Sequence, residues 1–143
     1  MNPVIARSIR IRCASHIVDI SGVAPDEAAI YTLSDPRDLL SVRYVGQTRD
    51  PRRRFLQHMG AARLWLPDDL PWWIKSPKLR PLYDWIRELY RDDLRMPVLS
   101  VIAWTNGGNA RIEERNRISE LLARDLPLLN WEAEMLKKQL QLI

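Results

Sequence analysis

The stretch "VRYVGQTRDPRRRF", residues 42 to 55, passes from a strand period to a helix period within a few residues, and that switch narrows the possible folds most. Val42 to Gln47 is rich in β-branched and aromatic residues, which favour a pleated, half-buried surface. Asp50 followed by Pro51 is a helix start: a carboxylate that accepts from a first-turn N–H, then a proline whose missing N–H costs nothing there. Phe55, Met59, Ala62 and Leu66 then recur at i, i+4, i+7 and i+11, which predicts a helix from 51 to about 66, ended by Pro67 and Pro71. A strand feeding so directly into an amphipathic helix calls for a sheet on which that helix lies.

The rest of the chain supplies such a sheet. "AIYTL" (29 to 33) is a second strand, and the turn residues of "SDPRDLLS" predict an antiparallel hairpin closed by a loop. A second helix over 76 to 93 carries Leu82, Trp85, Ile86 and Leu89 on one face. "PVLSVIAWT" (97 to 105) is nearly all apolar, so it is expected at the centre of the sheet. Asn109 is placed to cap a helix from Ala110 to about Asp125, and "LPLLN" (126 to 130) precedes a short amphipathic segment. The result is an α+β fold: a small domain with a central antiparallel three-stranded sheet flanked by helices. Residues 1 to 27 form an N-terminal extension, in which alternating Ile9, Ile11 and Cys13 predict an extra strand with Arg10 and Arg12 facing outward. Residues 28 to 130 are the main module, and 131 to 143 a short C-terminal helical tail.

Several function classes are excluded or disfavoured. A hydrophobic fraction of 46% with six tryptophans argues against disorder. No apolar run approaches the roughly 18 residues of a membrane span, and the basic N-terminus lacks the apolar core of a secretory signal. Cys13 is the single cysteine, so an internal disulfide and a multi-cysteine zinc site are both excluded, and a reducing cytoplasmic setting is expected. The chain has 22 Lys and Arg against 18 Asp and Glu. Five of those arginines and one of those aspartates lie between Arg49 and Arg63, which leaves 17 of each sign elsewhere. The net charge of +4 therefore sits in one segment, suited to a polyanion whose counterions are released on binding. A solvated arginine-rich helix face is the competing explanation.

Five residues could carry chemistry. Ala110, Glu114, Ile118 and Leu121 share one helix face, so Glu114 places a carboxylate on an apolar stripe, a costly arrangement unless a cation or metal faces it. A structural ion pair with an arginine is the alternative. Arg54 and His58, four apart, share a face beside the Phe55 stripe and reach the edge of the core. Tyr31 is in phase with Ala29 and Leu33, and Tyr44 with Val42 and Gly46, so two tyrosines on adjacent strands are either core aromatics or site residues. Gly46, near a strand end, permits close approach of another group.

Taken in order, "AIY" (29 to 31), "YVG" (44 to 46), "RFLQH" (54 to 58), the glutamate of "ARIEERNRI" and the closing "LLN" resemble the GIY-YIG nuclease domain. The resemblance covers residues 28 to 130, and the first motif departs from it by beginning with Ala29 in place of glycine. It implies Tyr31, Tyr44, Arg54, His58, Glu114 and Asn130 as catalytic residues, with Tyr31 as general base, Tyr44 positioning it or the water, and Glu114 as ligand to one Mg2+ or Mn2+ ion. His58 would relay a proton or hold a phosphate. Arg54 would meet charge developing on the phosphoryl oxygens. Arg49, Arg52 and Arg53 would track neighbouring phosphates of DNA.

The expected activity is divalent-metal-dependent hydrolysis of phosphodiester bonds in DNA by a monomer or homodimer, with specificity from a dimer or a further partner. The rivals are a catalytically inactive nucleic-acid-binding module of the same fold, and a purely structural domain.

Overall fold

In the computed structural model, which describes residues 10–11, 26–66 and 78–141, the strand that carries Tyr31 is the most enclosed element. This strand, β2 (Glu27–Asp35), is buried from its second residue to its last. The other strands are β1 (Arg10–Ile11), β3 (Asp38–Thr48) and β4 (Val98–Asn106). They form one antiparallel sheet in the order β1-β4-β2-β3. The apolar β4, expected at the centre, is an inner strand, flanked by β2 and by the short β1. β2 lies between the two other long strands, with a core on each face. β4's outer edge is paired by β1, at Arg10↔Ser100 and Ile11↔Leu99. The remainder of the alternating segment 8 to 13 lies outside the described residues.

The helices are α1 (Pro51–Ala62), α2 (Arg80–Asp93), α3 (Ala110–Ala123) and α4 (Trp131–Gln141). On one face of the sheet, Tyr31, Leu33 and Leu99 pack against Phe55, Met59 and Ala62 of α1 and Leu82, Trp85, Ile86 and Leu89 of α2. On the other face, Ile30 and Val45 meet Ile118 of α3, Leu128 and Ala133 of α4. The C-terminal helix is thus part of the second core. The observed architecture is α+β, an antiparallel sheet with helices on both sides.

Four local expectations are corrected. The hairpin closes through Pro36 and Arg37 alone, and Leu39 and Leu40, both exposed, continue β3. Asp35 makes the short turn possible: its carboxylate accepts from the Arg37 backbone N–H at 2.8 Å and from the Arg37 guanidinium at 2.9 and 3.0 Å. In the second, β3 does not keep a strict period of two. Leu33 faces Tyr44 but Ser34 faces Val42, so Arg43 is an extra residue, a β-bulge. Val42 consequently joins the core opposite Tyr44, while Arg43 stacks its guanidinium 5.3 Å from the Trp85 ring centre.

In the third, α1 ends at Ala62 and not near Leu66, with Arg63 in the left-handed region at φ 50°. The cause is Arg87 of α2, a buried guanidinium that donates to the carbonyls of Ala62 (2.9 Å), Arg63 and Leu66 (3.0 Å). A cation on the last carbonyls of a helix satisfies them and complements the helix dipole. In the fourth, Asn109 caps α3 through its backbone carbonyl only, accepting from Glu113 N–H at 3.0 Å. The Asp50 cap forms as expected, with Oδ1 accepting from Arg53 N–H at 3.1 Å.

Candidate active site

Tyr31 and Gly46 are direct cross-strand partners on β2 and β3. The Tyr31 ring lies across the glycine so closely that an added Cβ would fall 2.7 Å from Tyr31 Cε1 and closer still to the phenol end. Glycine is therefore required here for space. With that space the phenol reaches α1, where its Oη is 2.8 Å from Nε2 of His58. Residues 27 positions apart thus meet in a buried polar contact.

The sequence placed His58 at the edge of the core. It is inside it, 0% exposed, enclosed by aromatic rings. Tyr44 meets it edge-on, with ring centres 5.7 Å apart, and Tyr31 and Tyr83 each lie at 6.0 Å. The Tyr83 hydroxyl is 3.5 Å from Nδ1. One histidine is surrounded by three tyrosines, of which the sequence signalled two. Tyr83 was missed because it is offset from the Leu82, Trp85, Ile86, Leu89 stripe of α2. Its spacing of three from Ile86 was the available clue.

Burial sets the protonation states. It pushes the His58 imidazole down to about 3, helped by the positive charge of Arg54, so the ring is neutral at ordinary pH. Burial, then the neighbouring Tyr44, pushes the Tyr31 phenol far above the usual tyrosine range, against the opposing charge and hydrogen bond of Arg54. Burial likewise pushes Tyr44 up to about 12, with Arg54 acting the other way. Arg54 is half-buried on α1 and influences all four rings.

Glu114 is half-buried on α3, between the buried residues Ala110 and Ile118 of its face. Burial raises its carboxyl above the usual range and the negative charge of Glu132 adds to this, while a hydrogen bond from Gln47 and the charge of Arg111 oppose it. The structural ion pair left open by the sequence does not form: among the described residues no Lys or Arg lies within ion-pair distance of Glu114. Its charge acts on both Tyr31 and Tyr44, so it shares their field.

Asn130 is buried, with both ends of its amide engaged. Oδ1 accepts from Val45 N–H at 2.9 Å and Nδ2 donates to Val45 C=O at 2.7 Å. It holds the backbone between Tyr44 and Gly46. Arg49, Arg52 and Arg53 are exposed, and among the described residues no carboxylate pairs with them.

Comparison with models of protein families, with curated proteins and with solved structures found no match. Among the described residues no group of three or more His, Cys, Asp or Glu is placed to hold a metal ion. No described helix is long and apolar enough to cross a membrane.

Proposed function

We propose that this chain is a GIY-YIG-type endonuclease that hydrolyses phosphodiester bonds in DNA with the help of one divalent cation. The observation that carries the reading is the buried Tyr31–His58 contact over Gly46. Burying two polar groups in an apolar cluster brings desolvation cost that a phenylalanine–leucine pair would avoid. The cost is intelligible if the pair moves a proton.

Of its two expected roles, the full burial of His58 supports the relay over direct contact with a phosphate. Tyr31 would take a proton from the attacking water as it passes its own to Nε2 of His58. The two groups start far apart in proton affinity, which opposes that transfer. One cause is the charge of Arg54. A phosphate seated against Arg54 offsets that charge and makes His58 a better acceptor when substrate is present. Arg54 would also stabilise the charge that grows on the phosphoryl oxygens as the new P–O bond forms and the old one breaks. Tyr44, half-exposed, would orient the water.

The groups near Glu114 that could hold a cation are oxygens: its own carboxylate and that of Glu132, close enough for its charge to act. An oxygen set with a raised, unpaired carboxylate fits a hard cation that keeps most of its waters. Glu114 would hold Mg2+ or Mn2+, which when bound supplies charge neutralisation at the phosphoryl and leaving oxygens. Arg49, Arg52 and Arg53 would bind flanking phosphates.

Plasmid nicking with Mg2+ and with a chelator, comparing the parent with Glu114→Ala, tests the reading. Metal-dependent nicking that the substitution abolishes is expected. Undiminished nicking in Glu114→Ala would exclude the metal role, and DNA binding without cleavage in the parent would favour the inactive binding module.

A further inference from the structure

Tyr83 is not among the site residues expected from the sequence, yet its side chain meets the one ring nitrogen that Tyr31 leaves over. His58 is fully buried, so neither of its nitrogens has water as a partner. A neutral imidazole carries one N–H and one lone pair, and each has to be answered inside the protein. At Nε2 the contact is short, 2.8 Å to Tyr31 Oη. At Nδ1 it is 3.5 Å to Tyr83 Oη, at the long end of the hydrogen-bond range. Among the described residues Tyr83 is the partner that nitrogen has.

The two lengths point to one tautomer. A phenol O–H is a good donor and an imidazole lone pair a good acceptor, which suits the short contact with Tyr31 as donor. A phenol oxygen is a poor acceptor, which suits a long contact with Nδ1–H as donor. The Tyr31 proton then has His58 Nε2 as the place to go.

Resting on the nuclease reading for its purpose, we propose that Tyr83 is a positioning residue: its hydroxyl oxygen holds the Nδ1–H tautomer of His58, so that Nε2 presents the lone pair that receives the Tyr31 proton. When His58 takes that proton, Nδ1–H becomes a charged donor and its bond to Tyr83 strengthens, since ionised donors make stronger hydrogen bonds. The same oxygen that selects the tautomer therefore also supports the charge formed in the step. Tyr83 touches neither substrate nor metal; it acts through His58.

The test is the 15N NMR spectrum of the imidazole in the 15N-labelled full chain, without DNA or metal. The His58 signals are assigned by their loss in His58→Gln. The parent is expected to show a protonated Nδ1 and an unprotonated Nε2. Tyr83→Phe removes one hydroxyl, keeps the ring, and is expected to shift the population toward Nε2–H. In single-turnover cleavage the same variant should lose about tenfold or more in rate, the direction in which a wrong histidine tautomer acts in other hydrolases, while DNA affinity is unchanged. A parent in the Nε2–H form, or a Tyr83→Phe spectrum identical to the parent's, overturns the assignment, whatever the protein cleaves. The expected spectra with no cleavage by the parent would support the role of Tyr83 and overturn the nuclease reading.

Discussion

Acidification should destabilise the fold through His58 by an amount that can be worked out. The unfolded imidazole titrates near 6.5, whereas burial and Arg54 hold the folded one down to about 3. Between those values the unfolded state binds a proton that the folded state refuses, so stability falls as pH falls. Above about 6.5 neither state is charged and the contribution vanishes. Between pH 7 and pH 4 the expected loss is about 3 kcal/mol from this one group. Carboxylates also titrate in that window, so the comparison is with a variant lacking the linkage, Tyr31→Phe combined with His58→Leu. Removing both partners of the short contact together orphans neither of them, while the Tyr83 hydroxyl loses its long contact with Nδ1, so at pH 7 the double variant should lie close to the parent in stability. Urea unfolding of both proteins at half-unit steps from pH 7 to pH 4 gives the result directly. The parent's curve should fall away from the variant's as pH drops. A constant separation across the range would mean that His58 ionises equally in both states, and the closed tyrosine–histidine site would be wrong.

Gly46→Ala should destabilise by about 1–3 kcal/mol through overpacking against Tyr31, and a Tyr31→Leu background should relieve much of it; equal costs in the two backgrounds, measured by denaturant unfolding, would refute the close approach. Asn130→Ala strands the N–H and C=O of Val45 and should cost about 2 kcal/mol or more, whereas Asn130→Asp restores an acceptor only and should rescue less than half; thermal denaturation decides. Arg52→Ala with Arg53→Ala should weaken DNA binding and flatten the salt dependence of affinity by roughly 0.9 in log–log slope per lost duplex contact, with little change in saturated cleavage. Arg54→Ala should instead lower single-turnover rate by about 10²-fold or more with small change in affinity, and equal losses of both properties in both variants would refute that division.

The strand and helix periods were enough to place Tyr31, Tyr44 and Gly46 on one hairpin and Arg54 with His58 on the following helix, because those relations are local. The helix phase of Glu114 was also legible, and its half-buried position agrees with an inward-facing carboxylate. What failed depended on distant partners. The Arg43 bulge moved Val42 to the opposite core, and no two-residue period announces an inserted residue. The early end of α1 is decided by Arg87, more than 20 residues onward. A polar histidine goes to the interior only if hydroxyls wait there, and those of Tyr31 and Tyr83 come from two other elements. The amide of Asn130 holds the backbone of β3 at Val45, a contact that no local period announces.

That amide ties together residues 85 positions apart, and the strand it grips lies between the two motif positions of the second tyrosine and its glycine. During synthesis, therefore, the hairpin and α1 emerge long before the residue that fixes them. Contacts of such separation are slow to close, since the intervening chain must be ordered first. A nascent chain on the ribosome can pair β2 with β3 and still have the Val45 peptide unclamped. If the protein cuts DNA, its site is completed only once the chain has been made past Asn130, and a nascent chain shorter than that lacks the clamp on Val45.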